Sequence, residues 1–192
     1  MLKKIRAALW LTGTLGIVRR YLVVNGFDGA LTMLGLVVGF YLSGTTNLEI
    51  VITACMGAAV ALAVSGFSSA YISESAEKQK ELRELEQAMI KDLGESVHGR
   101  ASRLLPVIVA TVNGLSPFLI SLLIISPIWL ARTSFGLPWP PLETSFVVAL
   151  TALFGLGVYL GAISRVNWIW AGIRALLIAL VTSAMIIGLN YV

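Results

Sequence analysis

The chain has 192 residues, of which 57% are hydrophobic and 12% charged, with a formal net charge of +4 and a mean hydropathy of +0.88. A soluble domain of this length has too little interior to bury that much apolar surface, so an ordinary water-soluble globule is excluded. No zinc-ligand spacing, phosphate loop or nucleophile elbow occurs, the single cysteine Cys55 cannot close an intrachain disulfide, and nothing in the pattern points to nucleic acid.

In chain order, residues 1–20 combine Lys3, Lys4 and Arg6 with an apolar stretch and Trp10. This predicts an amphipathic helix lying in the membrane interface. The same composition fits a signal peptide, but Arg19-Arg20 follows where a small-residue cleavage site belongs. Five apolar segments long enough to cross a bilayer come next, near 22–42, 50–73, 104–130, 144–163 and 168–190. The expected fold is therefore all-α and integral to the membrane, organised as the interfacial helix 1–20, spans one and two over 21–73, a polar insertion over 74–103, and spans three to five over 104–192.

Span one opens on Asn25-Gly26-Phe27-Asp28-Gly29-Ala30-Leu31-Thr32. A carboxylate near the centre of a membrane helix costs roughly 2.5–3.5 kcal/mol, and such groups mark ion or proton pathways. Asp28 is thus the first candidate site residue, with Thr32 one helical turn away. Spans one and four carry Gly35-x3-Gly39 and Gly157-x3-Gly161, flat faces for close helix approach within one chain or between two.

Seven of the ten acidic residues lie between Glu74 and Glu95. From Tyr71 to Leu93 there is no glycine or proline, so span two is expected to continue beyond the bilayer as one helix. On that helix Glu74, Glu77, Glu81, Glu84, Asp92 and Glu95 share a face, if Gly94 leaves it intact, beside an apolar stripe of Leu82, Leu85, Met89 and Leu93. Adjacent carboxylates repel, and a divalent cation relieves the repulsion; Met89 or His98 offers a softer ligand. The plainer reading is a solvated helix paired locally by Lys78, Lys80 and Arg83.

Span three contains Pro106, Pro117 and Pro127 near Asn113 and Ser116. Either it is a broken helix whose freed carbonyls line a pathway with those two side chains, or it is a kinked packing element. With the N-terminus in the cytoplasm, 12 of the 14 Lys and Arg fall on the cytoplasmic side, which places the C-terminus outside and 74–103 in the cytoplasm. In a prokaryote the bilayer would be the cell membrane.

These features together resemble the vacuolar iron transporter family. The resemblance rests on Gly26-Phe27-Asp28-Gly29-Ala30-Leu31-Thr32, on Ser65, Tyr71 and Ser73 at the end of span two, and on Gly172, Ala175, Thr182 and Gly188 in span five. It implies a homodimer of five-span subunits that exports ferrous iron or manganese from the cytosol in exchange for protons, with no permanently bound cofactor. It also implies that Asp28 takes the place of a pathway aspartate and that glutamates beyond span two gather the metal. Where the family has an intramembrane glutamate, a pathway methionine and the glutamate of a Gly-Glu-Tyr motif, this chain has Ala58, Gly66 and Ala70.

Two functions follow. In the first, Asp28 exchanges a cation for a proton, with Thr32, Asn113 and Ser116 adding neutral oxygens. In the second, the protein is a non-transporting scaffold in which Asp28 pairs with Arg174, predicted at similar depth in span five. An intramembrane enzyme would need a second acid or a histidine in the bilayer, and the spans supply neither.

Overall fold

A computed structural model describes residues 14–133 and 139–190. It is all-helical, with α1 Thr14–Leu42, α2 Leu48–Met89, α3 Val97–Leu130, α4 Pro141–Ile163 and α5 Trp168–Asn190. All five are long and apolar enough to cross a membrane, α1 over Val18–Leu42. A helix satisfies its own backbone groups, which hydrocarbon cannot do, so apolar runs of this length fold no other way in a bilayer. The chain is a multi-pass integral membrane protein. Most of the predicted interfacial helix 1–20 lies outside the described residues.

Local chemistry sets the helix ends. Asn47 caps α2, its Oδ1 accepting the Glu49 and Ile50 amides at 3.0 and 3.4 Å. Asn167 caps α5, accepting the Ile169 amide at 3.1 Å, and Pro141 opens α4 at a position that has no use for an N–H. Three helices finish in a left-handed residue closed by a backbone bond five residues back: Gly44 (φ 65), Ile90 (φ 49) and Arg165 (φ 54). The closing bonds run from Thr45 to Phe40, Lys91 to Glu86 and Val166 to Gly161. Only the first uses the residue type that adopts this conformation freely.

Two expectations change. Span three is not broken: α3 runs through Pro106, Pro117 and Pro127. Near the last of these, the Ser126 hydroxyl donates to the Leu123 carbonyl at 2.7 Å, the acceptor that Pro127 leaves without its amide. Span two does continue as one helix, but it stops at Met89. Asp92 and Glu95 therefore do not extend the acidic row of α2.

The described residues divide into two compact units, one within residues 1–25 and 63–116 and the other within residues 26–62 and 117–192. In unit 1, Val23, Ala70, Leu105, Val109 and Ala110 are buried, and Gly114 brings α3 so near α2 that an added Cβ would stand 2.6 Å from the Ala63 carbonyl oxygen. In unit 2 all five helices contribute to one core, which includes Met33, Leu34, Val51, Cys55, Ile124 and Leu153. There α1 and α3 touch backbone to backbone, since a Cβ on Gly29 would lie 2.7 Å from Pro117 Cα. The α4–α5 seam is equally close: a Cβ on Gly157 or Gly161 would meet Ala171 atoms at 2.7 Å. The Gly157-x3-Gly161 face thus serves packing within the chain.

Candidate functional site

In unit 2, Asp28 sits on α1 ten residues after the start of the span at Val18. The Gly29–Pro117 contact fixes that turn of α1, and Asp28 itself is exposed on the single chain, with Thr32 half-buried one turn on. Arg174 on α5 is also exposed. Among the described residues the ion pairs are Lys78–Glu81, Lys80–Glu84 and Arg132–Glu49. The expected Asp28–Arg174 pair is not formed, because equal depth says nothing about which way two helix faces point.

Asn113 and Ser116 belong to unit 1, where both are buried and committed to backbone. Asn113 donates from Nδ2 to the Gly66 carbonyl at 2.6 Å and accepts through Oδ1 from Asn25. Asn25 also donates to the Tyr21 carbonyl at 3.0 Å. Ser116 Oγ donates to the Leu22 carbonyl at 2.5 Å. These bonds fasten α1, α2 and α3 together inside unit 1. A buried amide left without them would cost about 1–3 kcal/mol. Gly66 fits because it is a glycine: a Cβ there would lie 3.0 Å from the Asn113 carbonyl oxygen. A methionine at that position, as the resemblance implies, would press on the Asn113 backbone and require it to give by a few tenths of an ångström.

Five of the seven acidic residues between Glu74 and Glu95 have individual partners. Glu74 accepts the Tyr21 hydroxyl at 3.1 Å, Glu81 holds Lys78 at 2.7 Å and Glu84 lies 3.9 Å from Lys80. Glu86 accepts the Leu93 amide and Asp92 the Gly94 amide, at 3.0 and 2.8 Å, so both shape the turn into α3. Glu77 and Glu95 are exposed. His98 stands in the first turn of α3, on a cavity of about 280 Å³ shared with Lys78, Glu81 and Ser102. Among the described residues no group of three or more His, Cys, Asp or Glu is placed to hold a metal ion.

Sequence reading passed over Asn25 and Tyr21. The available signal was Asn25, an uncharged amide inside the apolar run one turn before Asp28; Tyr21, at the charged edge of the span, reads equally well as an interfacial aromatic.

No protein-family model matches the chain. The chain is similar to the uncharacterized protein MJ0645 of Methanocaldococcus jannaschii, 28% identical over 158 residues that cover 81% of this chain and 79% of that protein. Five apolar helices and this distant homology characterise a multi-pass membrane protein.

Proposed function

We propose that the protein is a homodimeric cation transporter that uses Asp28 as its intramembrane carboxylate and exports a divalent ion, ferrous iron or manganese, from the cytosol in exchange for protons. The observation that carries this reading is that Asp28 is exposed on the single chain and has no ion-pair partner among the described residues. At about 1.5 Å per residue it lies about 9 Å beyond Leu22, the first apolar residue after the charged pair Arg19-Arg20, in a hydrocarbon layer about 30 Å thick. A carboxylate facing lipid is disfavoured by roughly 2.5–3.5 kcal/mol at the centre of that layer and by less toward its edge. A second copy covering that face, with water or a cation between the two, removes the penalty. Further support comes from α2, which leaves Thr53, Gly57 and Ala61 exposed in unit 2 and Ser65, Ser69 and Ser73 exposed in unit 1. Small and hydroxyl-bearing residues at four-residue spacing suit a helix neighbour better than acyl chains.

In this reading the N-terminus is cytosolic, following the Lys and Arg distribution. The test is ferrous iron and manganese uptake into proteoliposomes containing the protein or Asp28→Asn. Flux lower by an order of magnitude or more in the variant is the expected result. Equal flux in both removes Asp28 from the mechanism.

A second reading, a non-transporting scaffold, is favoured by the Asn25–Asn113–Gly66 fastening, which fills the position of the family's pathway methionine with a structural bond. It predicts no flux from either protein, with the dimer retained.

A further inference from the structure

Unit 2 contains a half-open cavity of about 530 Å³ at the C-terminal ends of α1 and α5 and the N-terminal end of α4. Val37, Val38, Leu142, Phe146, Val147 and Ile187 line it. Ser183 is also on its wall, but the hydroxyl donates to the Ala179 carbonyl at 2.9 Å and offers the cavity little polarity. At one end stand Tyr41, Trp139 and Glu143. Among the described residues Glu143 has no ion-pair partner.

We propose that this groove is a lipid site, which takes one acyl chain of a phospholipid and holds a primary-ammonium headgroup against Glu143. Three observations select that occupant. The walls are aliphatic and aromatic, and a cavity of this kind does not retain water. It opens from membrane-spanning helices, so hydrocarbon chains are the molecules that reach it. Its polar end carries Tyr41 and Trp139, the residue types that settle at headgroup depth, together with one unpaired carboxylate. An acid at that depth attracts an ammonium headgroup and repels an anionic one. The groove is a slot for a single chain beside a single charge, which distinguishes it from general solvation by the bilayer.

The experiment uses the full chain in vesicles of equal parts phosphatidylethanolamine and phosphatidylglycerol, extracted into mild detergent. Retained lipid is identified by native mass spectrometry. The wild-type protein should keep one phosphatidylethanolamine per chain, several-fold over phosphatidylglycerol. Glu143→Gln should keep a lipid with the preference lost. Val147→Trp, which fills the groove from an exposed position, should keep none. As a second measurement, phosphatidylethanolamine brominated on its chains should quench tryptophan fluorescence in the wild type more than in Trp139→Phe. Loss of all lipid from the wild type, retention without headgroup preference, or unchanged retention in Val147→Trp overturns the proposal. So does a lipid-free dimer whose subunits cross-link through cysteine placed at Val147.

Discussion

Gly157-x3-Gly161 on α4 and Gly35-x3-Gly39 on α1 are the same pattern put to different ends. On α4 both glycines are buried and lie against the α5 backbone, where a Cβ would meet Ala171 or Trp168 atoms below 3 Å. On α1 a Cβ at Gly35 would only touch the Ile186 side chain at 3.5 Å, and one at Gly39 would meet nothing. The spacing declares that a close neighbour is permitted, and the three-dimensional arrangement decides whether this chain provides it. The face left open on α1 belongs to the helix that bears Asp28.

The largest effect should come from closing the filled seam. Gly161→Leu places a side chain into the α5 backbone, and overpacking of this kind costs about 1–3 kcal/mol or more. Gly39→Leu should change the stability of the single chain by less than about 0.5 kcal/mol. Unfolding titrations in mixed micelles measure both, and equal losses would dissolve the contrast. If a second copy uses the open face, Gly39→Leu should instead weaken cross-linking between chains.

Next in size is the fastening of unit 1. Asn113→Ala removes the bonds to the Gly66 carbonyl and the Asn25 amide, which keep Ser69 Oγ and the Tyr21 carbonyl as partners, a loss of about 0.5–1.5 kcal/mol for each bond. Thermal melting in detergent reads it, and a melting curve like wild type would mean that the bond is not maintained. In the opposite direction, Ile90→Gly should stabilise by about 1 kcal/mol, since Ile90 is a β-branched residue at φ 49 and is 94% exposed. A melting temperature that does not rise would argue against the left-handed ending of α2. Smallest of all, Arg132→Ala removes a solvent-exposed ion pair with Glu49 and should cost about 0–1 kcal/mol, less at high salt.

The five spans and the extension of α2 were legible because they rest on composition and on the lack of glycine and proline between Tyr71 and Leu93. The end of α2 was not, since a left-handed isoleucine carries no sequence signal. Asp28 and Arg174 were matched on depth, but an ion pair also needs both side chains to face each other, and direction around a helix axis is set by packing. Asn113 and Ser116 could be recognised as polar residues in a span. That their partners are the Gly66 and Leu22 carbonyls depends on which turns of three helices come into register, and no local pattern encodes that.

The connection from α4 to α5 has a consequence for how the protein is made. Ser164 to Asn167 is four residues, closed at one end by the Val166–Gly161 bond and at the other by the Asn167 cap. So short a link leaves no slack for one helix to enter the lipid while the other waits on the ribosome side. The last two spans should therefore insert as a preformed hairpin, and an epitope tag spliced between them should block biogenesis rather than merely decorate the surface.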